Sequence, residues 1–224
     1  MAPAIKTIGP WLAVMLLGFA ALQSLVAFRS EFAAFRLGRQ PPGLRIPALG
    51  RATVEPPASF RARRELLDSC DRGLRGPYGA FQPVELRQGL VQTCARAADS
   101  ILRRSPTDSM AFLVAAEAAL QAGDRPRFLG DLALSQRTAP AEGWLAQRRI
   151  DLIAPQIAAS AEPGLQQIAR ADLRLLFLSP AYIPFLARLH DSHPALQPLI
   201  TAVAETVRPA QQRRFLNALR ALKG

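Results

Sequence analysis

The first pattern along the chain is an unbroken apolar run. No charge stands between Lys6 and Arg29, and Ile8 to Phe28 is apolar apart from Gln23 and Ser24. As a helix these 21 residues reach roughly 31 Å at about 1.5 Å per residue, enough to cross a hydrocarbon core of about 30 Å. Trp11 sits where an interfacial aromatic belongs, and Arg29 marks the other edge. A cleaved signal peptide is the rival reading, with Gly18-Phe19-Ala20 as a small-x-small site. The apolar run continues well past that site, which favours an uncleaved anchor. Ser30 to Leu37 extends the helix, so 8–37 reads as anchor plus extension, behind a short tail at 1–7.

From Gly38 to Ser59 the pattern changes. Five prolines (Pro41, Pro42, Pro47, Pro56, Pro57) and three glycines interrupt any helix, which predicts an extended, polyproline-like linker over 38–59. Beyond it no segment alternates as a half-buried strand does, and 60–224 reads as one helical domain. Helices are expected at Phe60 to Leu74, before a loop at Gly76-Pro77-Tyr78-Gly79, and at Val84 to Arg104. In the second, Leu90, Cys94, Ala97 and Ile101 form one apolar stripe. Ser105-Pro106-Thr107-Asp108 stops that helix and caps another running to Ala122, which ends on Gly123-Asp124. Pro126 fits the first turn of the next, which reaches Thr138. Trp144 to Ile153, Leu165 to Leu178, Ala181 to Leu189, Ala195 to Val207 and Ala210 to Leu222 complete the series. The expected fold class is all-α: a transmembrane helix, a Pro-rich linker, and a stack of antiparallel helices.

One spacing adds detail. Pro106 and Pro140 lie 34 residues apart, the period of the tetratricopeptide repeat. The segment between them resembles that family. Phe112 falls at its tryptophan position, Ala115 and Ala116 at its leucine and small residue, Gly123-Asp124 at its inter-helix turn, and Pro140 at its closing proline. Phe128 and Ser135 depart from usual alanines, and Ala119 from a usual aromatic. Trp144 opens a third repeat two residues out of register, so the resemblance covers Val84 to Ala154. A helical hairpin bundle with coincidental proline spacing is the alternative. The resemblance implies close helix packing at these positions, a stack that binds protein partners, and an assembly role. The layout is also similar to small membrane-anchored repeat proteins that accompany bacterial surface-polysaccharide machinery.

Charge changes the picture next. The net charge is +11, and Lys6 and Lys223 are the only lysines among 28 basic residues. That balance suits anionic partners such as lipid headgroups or acidic polysaccharide. Arginine pairs at Arg148-Arg149 and Arg213-Arg214 are the candidate anion-binding residues, alongside Arg63-Arg64 and Arg103-Arg104. They are spread over several helices with few interleaved aromatics, which argues against nucleic acid. On the last helix Arg213, Arg214 and Arg220 face Phe215, Leu216, Leu219 and Leu222. This helix is read first as a cap on the stack and second as a surface for lipid headgroups.

No catalytic chemistry is expected. His190 and His193 share an H-x-x-H spacing beside Asp191, yet a third ligand is missing, and the segment reads as a helix end. Asp71, Asp99, Asp131, Asp151 and Asp172 stand near arginines and read as solvated surface pairs. No nucleophile elbow, phosphate loop or zinc-helix motif is present. The expected protein is therefore non-enzymatic, without cofactor, metal, small-molecule substrate or nucleic acid. It is a scaffold or adaptor whose partners are the bilayer and proteins of a bacterial envelope assembly, with surface-polysaccharide biosynthesis or export as the setting. The alternative is a binder of anionic polysaccharide or lipid. Cys70 and Cys94, 24 residues apart, either staple two helices in an oxidising compartment or are buried thiols. Lys6 and the amino group face Arg29, Arg36 and Arg39 across the span, so the positive-inside count places the body in the cytoplasm. The cysteines and the family resemblance favour the opposite: a single pass in the inner membrane with a periplasmic body.

Overall fold

The structure, a computed structural model, describes residues 8–51, 55–160 and 162–222. The 1–7 tail and positions 52–54 of the expected linker lie outside the described residues. Among the described residues the fold is all-α, with twelve α-helices and no strand. They fall into two compact units, Met1–Ser100 and Ile101–Gly224.

The first unit holds α1 (Ile8–Arg39), α2 (Pro42–Arg51), α3 (Phe60–Arg75), α4 (Pro77–Ala80) and most of α5 (Val84–Arg104). The sequence reading stretches 38–59 into a linker; instead 42–51 is helical. Pro42 suits a first helical turn because its missing N–H costs nothing there. Pro47 lies inside α2, at a cost of about 3 kcal/mol. Ile46 and Leu49 are buried, and two such side chains contribute roughly 3–6 kcal/mol. Burial wins, so the helix forms. Gly50 and Gly89 let α2 lie directly on α5: a Cβ on Gly89 would sit 2.1 Å from the Gly50 carbonyl oxygen.

Helix α3 starts at Ser59, whose hydroxyl accepts from the Ala62 N–H at 3.2 Å. Its buried stripe of Leu66, Leu67, Cys70 and Leu74 faces the unit's interior. Gly73 lies between Ile46 of α2 and Leu90 of α5. Cys70 and Cys94, both fully buried, are joined across α3 and α5 with their Cα atoms 5.6 Å apart. The loop expected at 76–79 is the single turn α4.

The second unit comprises α6 (Ser109–Gln121), α7 (Arg125–Thr138), α8 (Gly143–Ala159), α9 (Pro163–Phe177), α10 (Ile183–Ser192), α11 (Gln197–Thr206) and α12 (Pro209–Ala221). Asp108 caps α6 by accepting from Met110 and Ala111 N–H at 3.1 and 3.0 Å. Ten successive residues of α6 are buried, so it is the interior helix of this unit. At the turn into α7, Gly123 has φ +77°, a conformation glycine adopts without a Cβ clash. Helix α6 packs on α7 and α8, α8 on α9, and α10 on α9 and α12. Phe215 of α12 meets Phe177 of α9 edge-on, ring centroids 5.2 Å apart.

At the centre of the unit Arg149, wholly buried, donates to both carboxylate oxygens of Asp172 at 2.8 Å. It also donates to Ser135 O at 3.2 Å, Ser135 Oγ at 3.4 Å and Ala139 O at 3.4 Å. The sequence reading places Asp172 and Asp71 on solvated faces; both are buried, Asp71 paired with Arg75. Burial pushes the Asp172 carboxyl above its ordinary value, and the Arg149 hydrogen bonds and charge oppose that without reversing it.

Candidate functional site at the base of the apolar helix

Helix α1 is long and apolar enough to cross a membrane, and none of its most apolar window is buried. Exposed side chains run from Trp11 through Leu17, Phe19 and Leu22 to Phe28. The exposed apolar surface does not stop at Phe28. Phe32 and Phe35 continue it at helical spacing, 46% and 55% exposed. Phe28 and Phe32 stack with centroids 5.6 Å apart. Arg36 lies over the Phe32 ring at 6.0 Å and Arg39 over the Phe35 ring at 5.4 Å. The opposite face of the extension is turned to protein: Ala34 is buried, and Gly38 lies against the Glu65 side chain.

A polar collar locks this helix end. Arg45 of α2 turns back onto the last carbonyls of α1, donating to Gly38 O and, from Nε and Nη2, to Gln40 O at 3.1 and 2.8 Å. These carbonyls have no helical N–H to accept from, so a buried guanidinium satisfies them and complements the negative end of the helix dipole. The same guanidinium reaches Glu65 Oε1 and Ser69 Oγ on α3, each at 3.4 Å. About two turns back along α1, Glu31 accepts from the Ser59 N–H and hydroxyl at 2.6 Å each. Its carboxylate thereby sits at the positive N-terminus of α3. Helices α1, α2 and α3 are thus tied by charge-assisted bonds where the sequence predicts an extended, polyproline-like linker.

Between α1 and α3 the collar leaves an open groove of about 510 Å³, lined on one side by Phe28, Phe32 and Phe35 and on the rim by Arg39 and Arg61. The sequence reading ends the apolar run at Arg29 and does not predict this groove, although Phe28, Phe32 and Phe35 recur at i, i+4, i+7.

The residues singled out from the sequence are placed as follows. Phe112, Ala115, Ala116 and Ala119 are buried on α6, and Phe128 and Ser135 are buried on α7. Gly123 and Pro140 are exposed at the two ends of α7. Trp144, half-buried on α8, donates to Glu142 Oε2 at 3.1 Å and lies beneath Arg148 at 5.3 Å. Arg148 also reaches Met110 Sδ at 3.6 Å. Arg149 is enclosed by Asp172 and cannot meet an external anion, so Arg148-Arg149 is not a surface pair. Arg213 and Arg214 are exposed on α12. His190 packs edge-on to Phe215, and His193 contacts the Ser192 hydroxyl. No group of three potential metal-ligating side chains occurs among the described residues.

Comparison with protein-family models, with curated proteins and with solved structures returns no match. The functional reading therefore rests on the residues themselves.

Proposed function

We propose that this protein is a single-pass, membrane-anchored helical adaptor without catalytic activity, holding protein partners at the surface of a bacterial envelope membrane. The observation that carries this is the α1 junction. An apolar helix, exposed along its most apolar stretch, continues without a break into a collar of charge-assisted bonds, from the buried Arg45 and from Glu31 at the surface. Such a junction fixes the first unit at the end of the span, as a positioning device requires.

The closed Cys70–Cys94 pair supports an extracytoplasmic body, because cytosolic thiol buffers keep such pairs reduced. The α6–α7 hairpin, with the glycine turn at Gly123 and small residues between its helices, supports a tetratricopeptide-like stack and a protein-binding role. Surface-polysaccharide biosynthesis or export is the setting this layout suits.

The test has two arms. Full-length protein should remain in membranes after carbonate washing, with a reporter after Gly224 outside the cytoplasm and both thiols closed in intact cells. Photo-crosslinking from Leu216, which is exposed on α12, should trap defined protein partners in those cells, with complexes that persist as salt rises. Release by carbonate would end the anchor reading, and a cytoplasmic reporter with free thiols would end the periplasmic one. Binding that collapses with salt would favour an anionic polymer instead. That second reading draws on Arg213, Arg214 and Arg220, all exposed on α12.

A further inference from the structure

The geometry points to a binding site for one anionic phospholipid in the groove between α1 and α3, with its phosphate on Arg39 and Arg61 and an acyl chain along Phe28, Phe32 and Phe35. The inference rests on the reading that α1 spans a membrane.

Three observations converge on a lipid. The aromatic wall is continuous with the exposed apolar surface of α1, so an acyl chain can enter from the bilayer without crossing water. Phe28, Phe32 and Phe35 stand one above the other on one helical face, and all three line the groove. The rim is cationic where a headgroup would lie. Arg39 and Arg61 are both exposed, and Arg39 is held over Phe35 at 5.4 Å. Guanidinium forks match the oxygens of a phosphodiester.

The two acids that also line the groove cancel this charge only in part: Glu65 is offset by Arg45, and Glu31 keeps one negative charge against the two arginines. Glu31 is occupied by the Ser59 N–H and hydroxyl at the start of α3. Glu65 faces Arg45 at 3.4 Å. What remains is an apolar wall that runs back to the exposed surface of α1 and two guanidinium groups beside it, which an acyl chain and a phosphodiester match. A protein helix would match the apolar wall but leave the two arginines without a partner at the rim.

The experiment uses full-length protein in a neutral detergent, titrated with phosphatidylglycerol or phosphatidylcholine of the same acyl chains and read by native mass spectrometry. Wild type should retain phosphatidylglycerol in preference to phosphatidylcholine. Arg39→Gln/Arg61→Gln should weaken phosphatidylglycerol retention about thirtyfold, the effect of two arginines at an anionic surface, and leave phosphatidylcholine unchanged. Phe32→Ala should weaken both lipids. Arg170→Gln/Arg174→Gln, at two arginines exposed on α9, removes the same charge elsewhere and should behave as wild type. Equal loss in that control would overturn the site in favour of diffuse attraction, as would unchanged retention in Arg39→Gln/Arg61→Gln. Inorganic phosphate competing as well as the lipid would assign the arginines to a free anion and also overturn it. Carbonate washing separates the two levels of the argument. An Arg39→Gln/Arg61→Gln protein that stays in the membrane while losing phosphatidylglycerol supports the site. Wild type released by carbonate would overturn the anchor and the lipid site together.

Discussion

Removing Asp172 and removing Arg149 should have unlike consequences, although both break the same buried pair. In Asp172→Leu the guanidinium stays wholly enclosed and keeps only Ser135 O, Ser135 Oγ and Ala139 O, at 3.2–3.4 Å. Arginine cannot shed its proton, so the charge stays buried without a counter-charge at any working pH. The expected cost is about 3–5 kcal/mol. For a unit of the size of Ile101–Gly224, that corresponds to a fall of roughly 10–20 °C in Tm.

In Arg149→Met the remaining carboxylate has an escape. Burial already pushes Asp172 above its ordinary value of 3.8, and the variant removes both influences that opposed it. Asp172 then takes up a proton in the folded state. A folded-state value above the unfolded one means stability is fully present below 3.8 and is lost as the pH rises through the raised value. The Arg149→Met protein should therefore be most stable in acid and weaken toward neutral pH, whereas Asp172→Leu, which lacks the titrating carboxyl, should not show this dependence. Arg149→Met/Asp172→Leu should recover to within about 1 kcal/mol of wild type, because an apolar pair of similar volume avoids both desolvation costs. Ser135 O keeps the Ala139 N–H and Thr138 hydroxyl as donors in that variant, each at 3.3 Å. Thermal unfolding of the full chain in detergent, followed by circular dichroism across pH, measures all three. A double variant no more stable than Asp172→Leu alone would refute the reasoning, as would a pH-independent Arg149→Met.

Other substitutions probe the remaining contacts. Replacing Cys70 and Cys94 together by alanine should cost about 3 kcal/mol through the entropy of the opened loop, and reductant should lower the Tm of wild type but not of this variant. Gly89→Ala should cost about 1–3 kcal/mol, since its Cβ meets the backbone of Gly50 and not a movable side chain; denaturant unfolding would measure it, and an unchanged midpoint would show that α2 does not pack there. Gly123→Ala should cost about 1–2 kcal/mol because of its positive φ. Gly130→Ala, inside α7 with open space around its Cβ, should stabilise by about 0.5–1 kcal/mol in the same assay.

The parts of this fold legible in the sequence are those governed by local rules. Asp108 and Pro126 mark two helix starts, Gly123-Asp124 a turn, and the stripe of Leu90, Cys94 and Ala97 a buried face, because capping, backbone freedom and periodicity each act within a few residues. What escaped was decided by partners far along the chain. Segment 42–51 is rich in helix-breaking residues, and propensity alone makes it extended. It is helical because Ile46 and Leu49 find cover and Arg45 finds the carbonyls at the end of α1. Asp172 reads as solvated because nothing near it in sequence reveals Arg149, which lies 23 residues away.

The same distinction bears on function. The apolar run from Ile8 to Phe28 is visible as a span, but a span by itself is compatible with a loose tether. The collar makes the difference, and it depends on contacts between Arg45, Glu65 and Ser69, and between Glu31 and Ser59, over 20 to 28 residues of sequence. Arg45, costly if buried alone, becomes inexpensive because it meets the unsatisfied carbonyls at the end of α1, and Glu31, at the surface, complements the N–H groups that open α3. That pairing holds the start of α3 against α1, beside the aromatic groove. A protein whose task is only to be near a membrane has no need of such a junction. One that must present a surface at a fixed height and bearing does, and this is the physical ground for reading the chain as an adaptor.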